Sequence, residues 1–384
     1  MTSALGLRKL RLRQFRNFAA LDLEFPAEGV AIIGDNGSGK TNLLEAIYYL
    51  EIFRSFRGAS DDQLVHFGTD GFHVRGELID AGNVTHVEVA AGYEPKTRRK
   101  RVTLDGLERE RLGDAIGRVG AVIFSPSDIA IVAGAPSERR RFLDIVLSLN
   151  VPGYLAALQR YRQVLRQRNA LLRRGAIAAA VAPWDDALAE WGGRVAAQRA
   201  AWVSESQEVF SRTSGEVAGG TPSLLRYMPG FAMPVAVGSA AALAEALAAE
   251  LRRVAPRERE RGITLAGPHR DDLAILACGP DGEIDLRDYG SGGQQRTAAI
   301  ALRVVEAETV RRTRARPPII LLDDVFAELD PGRSLRILEL LDRGGRGQVI
   351  LTAPKESDIV LTMEGRTFAS GLDRWRIAAG RIPA

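Results

Sequence analysis

The sequence predicts an α/β fold in which strands surround a phosphate-binding loop and its helix, with a mainly helical second lobe. Three observations support this prediction. The apolar run Val30–Ile33 leads into a glycine-rich segment, the pattern from residue 137 to 261 is helical, and strands return after residue 262. We therefore expect a P-loop part at 1–136, a helical arm at 137–261 and a strand-rich part at 262–384.

The individual elements follow from hydrophobic periodicity. Residues 5–25 alternate as a hairpin, residues 72–104 are rich in strand-forming residues, and residues 120–124 add another strand. The middle of the chain is helical but is broken by several glycines and prolines. After residue 262 we expect strands at Ile263–Ala266, Leu273–Ala277 and Ile319–Leu322, and a helix from Gly292 to about Arg314.

The composition is that of a globular protein in a reducing compartment. The chain has 384 residues, of which 46% are hydrophobic, and no apolar run approaches the roughly 20 residues of a membrane span. The N-terminal residues do not follow the pattern of a signal peptide. Because Cys278 is the single cysteine, an internal disulfide is excluded. We expect a soluble, cytoplasmic protein.

The positive charge is clustered and is carried almost wholly by arginine. The net charge is only +4, but arginines concentrate at residues 96–101, 139–141, 161–174 and 311–316. Guanidinium groups match phosphate geometry, so these clusters favour a polyanionic partner. The alternative for any one cluster is a solvated helix face or loop tip. The candidate DNA contacts are Arg98, Arg99, Arg101, Arg139 and Arg140.

Residues 34–41 match the P-loop pattern G-x-x-x-x-G-K-[ST]. The backbone N–H groups of such a loop, together with the following helix N-terminus, form a cradle for the α- and β-phosphates. We expect Lys40 to reach the β- and γ-phosphates and Thr41 to ligate Mg²⁺. The alternative is a plain glycine turn between a strand and a helix. The full candidate loop is Gly34, Asp35, Asn36, Gly37, Ser38, Gly39, Lys40 and Thr41.

A buried strand that ends in two carboxylates indicates a Walker B element. Four apolar residues, 319–322, precede Asp323 and Asp324. A parallel strand packed on both faces is apolar throughout, and a carboxylate at its carboxyl end reaches a metal beside the P-loop. We expect Asp323 to hold Mg²⁺ and Asp324 to orient or activate the attacking water. The alternative is a strand end capped by two solvated acids.

A second candidate anion site opens the helix that follows residue 290. It consists of Ser291, Gly292, Gly293 and Gln294, whose hydroxyl and N–H groups lie at a predicted helix N-terminus. One chain does not need two such sites for a single γ-phosphate, so the second site should serve a partner's nucleotide. The motif order is typical of an ATP-binding-cassette head, with a mixed sheet around the P-loop helix. We therefore expect a homodimer that forms on ATP.

Three further segments are relevant to the cassette ATPase interpretation, and two of them leave a functional residue unassigned. Residues 327–331 resemble the D-loop of cassette ATPases, which makes Glu328 and Asp330 candidate contacts to the opposite protomer. Thr352 stands where transporter ATPases usually carry histidine, so the residue that senses the γ-phosphate is unassigned. No glutamine occupies an obvious Q-loop position, and Ser125–Asp128 lies where that loop is expected.

Over nearly its whole length the sequence resembles the bacterial RecF recombination mediators. The block Gly267–Asp272 (G-P-H-R-D-D) and the element Phe15–Asn17 (F-R-N) single out this family. RecF proteins in turn resemble the head domains of the structural maintenance of chromosomes family. The other segments that carry the resemblance are 54–57, 125–128, 138–144, 166–170, 183–185, 291–294 and 323–330.

This resemblance implies a cytoplasmic ATPase that uses ATP and Mg²⁺, dimerises on ATP and binds double-stranded DNA near single-strand gaps. It implies slow, DNA-stimulated hydrolysis and a role in loading RecA, with RecR as a partner and RecO and RecA as indirect ones. It also implies that Arg16 and Asn17 approach the nucleotide. The residues themselves leave the role of Gly267–Asp272 open between a proline-started turn and a part in catalysis.

Two other functions compete with this interpretation. A cassette ATPase subunit of a transporter or of another non-DNA complex would share the P-loop, the signature and the Walker B strand. A small-molecule P-loop kinase would need a lid and no S-G-G-Q element. A long chromosome-linking rod is excluded, because a helix of about 22 residues spans only about 33 Å.

Overall fold

The computed structural model describes most of the chain, which divides into two compact units. Unit 1 comprises Met1–Asp128 and Ile300–Ala384, and unit 2 comprises Ile129–Ala299. Among the described residues, no helix has the length and apolar character that a membrane span requires. The described residues are 5–80, 83–232, 239–279, 282–325, 331–343, 347–358, 362–363, 366–367, 371–378 and 380–382.

Strands and helices are numbered here in chain order. The strands are β1 (Leu5–Phe15), β2 (Phe18–Glu24), β3 (Gly29–Ile33), β4 (Phe72–Asp80), β5 (Asn83–Glu94), β6 (Arg99–Leu104), β7 (Leu107–Glu108), β8 (Ala121–Phe124), β9 (Ser223–Met228), β10 (Asp272–Gly279), β11 (Gly282–Asp285), β12 (Ile319–Asp323), β13 (Val349–Ala353), β14 (Thr362–Met363), β15 (Arg366–Thr367) and β16 (Asp373–Arg376). The helices are α1 (Lys40–Ile52), α2 (Asp61–Leu64), α3 (Ile129–Ala133), α4 (Pro136–Asn150), α5 (Tyr154–Arg173), α6 (Ala178–Ala218), α7 (Ala240–Arg261), α8 (Leu286–Tyr289), α9 (Gly292–Arg314) and α10 (Pro331–Arg343).

A parallel sheet lies at the centre of unit 1, with strand order β16-β3-β13-β12-β8. Each neighbouring pair in it is parallel. Strands β3, β8, β12 and β13 are buried along their whole length, which explains why their sequences are apolar apart from Asp323 and Thr352. Because the strands are parallel, the residues that follow β3, β12 and β13 meet at one edge of the sheet.

An antiparallel sheet with strand order β2-β1-β4-β5-β6-β7 forms the other layer of unit 1. The predicted hairpin is its β1–β2 pair, with Leu10 opposite Leu23. Helix α1 is buried along most of its length in a core with both sheets, which includes Leu43, Ile47 and Tyr48. The P-loop helix is therefore held by apolar packing around most of its circumference.

Unit 2 combines the helical arm with a small antiparallel sheet, β11-β10-β9. Strand β10 pairs with β9 along its length, which places residues 262–299 with the arm rather than with the parallel sheet. The strand predicted at Ile263–Ala266 is wrong. Its backbone donors are bound by side chains instead: the Thr264 N–H donates to Asn169, and the Leu265 N–H donates to Glu258.

A buried ionic network holds the elements of unit 2 together. Arg199 on α6 is 2% exposed and donates to Asp271 and to Asp144, each at 2.7 Å. Asp271 is fully buried and also accepts from the Tyr227 hydroxyl and, at 2.7 Å, from the Gly230 N–H. The network therefore joins α4, α6, β9 and the start of β10.

The block Gly267–Asp272 is a structural part of this network. Arg139 binds Asp272 through two hydrogen bonds, of 2.6 and 2.9 Å. The Nδ1 atom of His269 lies 2.6 Å from the Tyr161 hydroxyl. Burial lowers the pKa of His269 to about 4, so this imidazole is neutral near pH 7. These contacts favour the structural interpretation of the block over a part in catalysis.

Replacing Arg199 by alanine should destabilise unit 2 severely, because Asp144 and Asp271 would lose their shared buried cation. We expect Arg199→Ala to lower the free energy of unfolding by about 3–5 kcal/mol. Three of the four tryptophans lie in unit 2, so tryptophan fluorescence during denaturant unfolding reports mainly on it. The matched control is Arg194→Ala on the same helix, an exposed arginine paired with Glu190, which should cost less than about 1 kcal/mol. Equal shifts for the two variants would contradict this account.

Candidate nucleotide-binding site

The candidate site lies where β3, β12 and β13 of the parallel sheet end. Strand β3 runs into the loop 34–39, β12 ends at Asp323, and Thr352 lies near the end of β13. Asp323 is paired in register with Thr352, and Thr352 is paired with Ile32 of β3. The sheet register therefore brings the P-loop and both Walker B carboxylates to one place.

Two glycines are required by the shape of the P-loop. A Cβ on Gly34 would lie 2.4 Å from the Ile377 carbonyl oxygen, so no side chain fits there. Gly39 has a φ of +112°, in the left-handed region that favours glycine. Helix α1 begins at Lys40, immediately after this turn, so its free N–H groups face the loop. The result is a backbone cradle at a helix N-terminus.

Polar groups at the loop have the chemistry to hold phosphate and a divalent cation. Lys40 is 4% exposed, and its Nζ donates to the carbonyls of Gly34 at 2.7 Å and Asp35 at 3.2 Å. The buried Ser38 hydroxyl has no hydrogen-bond partner among the described residues. The Thr41 hydroxyl donates to Asp323 Oδ1 at 2.8 Å. Phosphate oxygens would satisfy the first two groups, and the hydroxyl–carboxylate pair is a hard oxygen set that suits Mg²⁺.

Asp323 carries a buried charge that needs compensation. Its residue is 4% exposed, and burial raises the pKa of its carboxyl to about 6. The hydrogen bond from Thr41 acts in the opposite direction, whereas the nearby Asp324 charge raises the pKa further. A cation bound here would relieve this cost.

Asp324 has a left-handed backbone, with φ of 48°. Such a conformation costs a non-glycine residue about 1–2 kcal/mol and persists where neighbours enforce it. Its N–H donates to the Thr352 hydroxyl at 3.0 Å, and its Oδ2 lies 3.9 Å from Lys40 Nζ. The bend therefore directs the second carboxylate toward the P-loop lysine.

Thr352 joins the two carboxylates. Its hydroxyl oxygen lies 3.2 Å from Asp323 Oδ1 and 3.2 Å from Asp324 Oδ1, while it accepts the Asp324 N–H. A hydroxyl has one proton, so it can donate to only one of the two carboxylates at a time. Thr352, at the position where the sequence leaves the γ-phosphate sensor unassigned, therefore orients the two Walker B carboxylates.

The β1–β2 turn is attached to the P-loop through Asn17. Its side-chain amide donates to the Ser38 carbonyl at 3.3 Å and accepts from Asn42 at 2.8 Å. Arg16 instead forms two hydrogen bonds, of 2.8 and 3.0 Å, with the fully buried Glu45 of α1. Asn17 thus touches the loop itself, whereas Arg16 anchors the turn to the helix.

Sequence reasoning missed two contributors to the site. The Gly380 N–H donates to the Ser38 carbonyl at 3.0 Å, beside strand β16, so the last part of the chain supports the P-loop. The positive charge of Arg57 acts to lower the pKa of Asp323, and the Arg57 side chain donates a hydrogen bond of 3.4 Å to Asn42. Arg57 belongs to the motif 54–57, which could have pointed to it. The sequence near residue 380 gives no indication of the contact with Ser38.

The signature residues lie in unit 2, at the start of α9. The Ser291 hydroxyl accepts from the Gln294 N–H at 3.3 Å, and the Gln294 side chain accepts from the Ser291 N–H at 2.8 Å. This reciprocal cap leaves the N–H groups of Gly292 and Gly293 at the helix terminus for another acceptor. Ser291, Gly292 and Gln294 are exposed.

The segment Ser125–Asp128 is connected to α9 within unit 1. The Asp128 carboxylate accepts from the Ser125 N–H at 2.8 Å and from Arg303 at 2.6 Å. Arg303 also binds Glu306, a carboxyl whose pKa burial raises. The segment where a Q-loop is expected is therefore bonded to the helix that begins with the signature.

The remaining candidate residues divide into three groups. Glu328 and Asp330 lie outside the described residues. Arg98, Arg99 and Arg101 are exposed on the β5–β6 hairpin, with Arg99 paired to Glu108 at 3.3 Å. Arg139 and Arg140 are held by Asp272 and by the Asp271 carbonyl, respectively. Because Arg139 is also 2% exposed, it is not available as a DNA contact.

Comparison with known proteins gives a consistent result. Residues 6–364 match the model of the RecF/RecN/SMC N-terminal domain family. The DNA replication and repair protein RecF of Synechococcus sp. (strain JA-3-3Ab) is 37% identical over 352 residues, which cover 90% of each chain. RecF of Moorella thermoacetica is 35% identical over 386 residues, which cover 99% of this chain and 97% of the relative.

Solved structures agree with these matches and confirm the predicted fold class. A structure described as the recombination mediator protein RecF with ATP in the RecFOR pathway has a TM-score of 0.87 and 29% identity, covering 99% of each chain. The Smc head domain of Pyrococcus furiosus has a TM-score of 0.55 at 16% identity, covering 98% of this chain and 94% of the other. The second likeness concerns the fold alone.

Asp323→Asn should stabilise the metal-free protein at neutral pH. The folded-state pKa is raised from 3.8 to about 6, so the stability contributed by this group is present below about pH 4 and is lost as the pH rises through 6. Above pH 7 we expect the variant to gain about 1–3 kcal/mol without Mg²⁺, and the gain should disappear near pH 4. Denaturant unfolding across this pH range measures it. The control is Asp70→Asn at an exposed carboxylate, and a gain independent of pH would contradict the assignment.

Thr352→Val should separate chemistry from binding, because valine keeps the shape and removes the hydroxyl that orients both carboxylates. We expect the kcat of ATP hydrolysis to fall at least tenfold, with the KM for ATP changing less than threefold. Thr352→Ser keeps the hydroxyl and should retain most of the activity. Equal losses in the valine and serine variants would show that packing, rather than the hydroxyl, matters at this position.

Proposed function

The chain belongs to the RecF family of DNA replication and repair proteins, and on this premise we propose that it is a recombination mediator driven by ATP. In this proposal it dimerises on ATP, binds double-stranded DNA near single-strand gaps and hydrolyses ATP slowly. The observation that supports it is that two candidate anion sites lie in separate units. The P-loop lies in unit 1 and the signature helix terminus lies in unit 2.

ATP and Mg²⁺ fit the residues at the P-loop. Lys40 and the loop N–H groups would bind the β- and γ-phosphates, replacing the carbonyl contacts that Lys40 makes to Gly34 and Asp35. Thr41 and Asp323 would hold Mg²⁺, which neutralises phosphate charge when bound. The buried Asp323 charge supports this assignment, as does the buried Ser38 hydroxyl, which has no hydrogen-bond partner in the described part of the chain.

Hydrolysis in this proposal depends on Asp324 and Thr352. Asp324 would orient the attacking water and accept its proton, and Thr352 would hold Asp324 through its N–H. Most relatives in the wider superfamily place glutamate at this position, and aspartate is shorter by one methylene, about 1.5 Å. The water is then held less closely, which suits slow turnover and a timing role.

The dimer in this proposal is completed by the signature of a second chain. Ser291, Gly292 and Gly293 offer a hydroxyl and two N–H groups at a helix terminus, where a γ-phosphate would be stabilised. Glu328 and Asp330 stay proposed contacts to the opposite protomer. Dimer formation would then depend on ATP concentration, and hydrolysis would release it.

DNA and protein partners follow from the family and from charge. The exposed arginines of the β5–β6 hairpin, Arg98, Arg99 and Arg101, are proposed phosphate contacts, with Arg140 as a weaker candidate because it is bound to the Asp271 carbonyl. The RecF structures similar to this chain are described within the RecFOR pathway. We extend that description to this chain: RecR as a partner, RecO and RecA indirectly, and action in the cytoplasm.

Asp324→Asn should trap the ATP-bound dimer, because the amide cannot accept a proton from water. We expect ATP hydrolysis to fall at least 100-fold, and sedimentation with ATP and Mg²⁺ to show a dimer that persists. In the wild-type chain the dimer should disappear as ATP is consumed. The trapped dimer should also bind duplex DNA, with an affinity that falls steeply as salt rises.

Asp324→Glu is the matched control for this experiment. It restores the longer carboxylate and should hydrolyse ATP at least as fast as the wild-type chain. A normal hydrolysis rate in Asp324→Asn would refute the role of Asp324. A trapped dimer with no affinity for DNA would refute the DNA-binding part of the proposal while leaving the nucleotide part intact.

A further inference from the structure

The end of the helical arm in unit 2 is formed by three helices. Helices α5 and α6 run antiparallel, because Arg168 binds Asp185 near the connecting turn while Tyr154 binds Arg199 further along. The carboxyl end of α7 packs at the same end, where a Cβ on Gly262 would lie 3.5 Å from the Arg173 Cα. We call this region, residues 166–174 and 257–262, the arm tip.

The arm tip carries an excess of positive charge. Six exposed arginines lie in it, and no carboxylate among the described residues forms an ion pair with any of them. Helix α5 contains no aspartate or glutamate in its 20 residues. Two exposed acids are nearby: Glu260 lies in the tip itself, between Arg259 and Arg261, and Asp186 lies beside the tip. The six arginines are Arg166, Arg173, Arg174, Arg257, Arg259 and Arg261.

The other acids near the tip are already used inside the protein. Arg168 is 1% exposed and binds Glu258 at 2.6 Å and Asp185 at 2.7 Å. Thr264 completes this buried cluster with a hydrogen bond of 2.9 Å from Arg168. The cluster fixes α5, α6 and the segment after α7 against one another. The surface arginines are therefore presented on a rigid base.

Helix capping explains only part of this charge. Cations in the last turn of a helix interact favourably with the macrodipole, which accounts for Arg173, Arg259 and Arg261. Arg166 and Arg257 precede the last turns of α5 and α7, so capping gives no reason for them. All six cations are arginine, whose planar fork binds phosphate oxygens in pairs.

We propose that the arm tip is a second contact surface for the phosphate backbone of duplex DNA. This inference rests on the proposed function and adds to the β5–β6 hairpin a separate site in unit 2. Arg166 and Arg173 are seven residues apart, about 10.5 Å along the helix axis. This separation lets them bind different phosphates, so binding at the tip is independent of base sequence.

The test is a triple substitution at the tip, Arg166→Gln, Arg173→Gln and Arg174→Gln. The matched control is Arg194→Gln, Arg226→Gln and Arg253→Gln, which removes the same charge from exposed arginines of unit 2 that are paired with Glu190, Glu283 and Glu250. A third variant replaces the three tip arginines by lysine and keeps the charge. A fluorescent duplex of about 30 base pairs is titrated with each protein at several salt concentrations.

We expect the tip variant to bind DNA at least tenfold more weakly than the control variant. The slope of log affinity against log salt should decrease in magnitude by about 2–3, since each phosphate contact contributes about 0.9. The lysine variant keeps the charge but loses the paired hydrogen bonds, so its affinity should lie between that of the wild-type chain and that of the glutamine variant. Dimerisation on ATP and hydrolysis without DNA should be unchanged in all three.

Two results would overturn the inference. The first is that the wild-type chain binds DNA but the tip variant has the same affinity and salt slope as the control variant. This result would refute the proposed role of the arm tip alone. The second is that the wild-type chain does not bind duplex DNA at low salt. This result would refute both the proposed DNA-binding function and the role of the arm tip. Thermal unfolding of each variant shows whether a loss comes from the surface or from the fold.

Discussion

The geometry of the site depends on one constraint, the convergence of three parallel strand ends beside the amino terminus of a buried helix. That convergence places the Asp323 carboxylate, which burial makes costly to ionise, within hydrogen-bond distance of Thr41. It also sets Lys40 at 3.9 Å from Asp324. The strands are buried and apolar up to their carboxyl ends, so the carboxyl edge of the sheet is where such charges are accommodated. A bound cation would compensate the charge of the carboxylates, and a bound polyphosphate would compensate the charge of Lys40.

The two candidate anion sites lie in different units of the chain. The P-loop belongs to unit 1, and the Ser291 cap belongs to unit 2, at the first residues of α9. The same helix continues to Arg303, which binds Asp128 in the segment where a Q-loop is expected. A change at that segment would therefore act directly on the helix that bears the signature. The segment and the signature are thus attached to one continuous helix.

Parts of the candidate site that depend on local sequence motifs could be predicted from the sequence. Parts that depend on contacts between distant residues could not. Strands β3 and β12 were found because each is an apolar run followed by a recognisable loop or acid pair. The contacts of Thr352 with Asp323 and Asp324 depend on the register between strands, and the support of Ser38 by Gly380 depends on the pairing of β16 with β3. Arg139 looked like a surface cation in a charged run, yet it binds Asp272, 133 residues further along the chain. No local pattern encodes such partners.

We propose that Ser291 of one chain completes the binding site of the triphosphate held by Lys40 of another, and a mixture of two inactive variants tests this pairing. Lys40→Met lacks the loop lysine, and Ser291→Arg blocks the signature. A heterodimer of the two has one composite site with both native residues. We expect that neither variant alone dimerises or hydrolyses ATP, whereas the mixture does both. A mixture no more active than its separate components would contradict it.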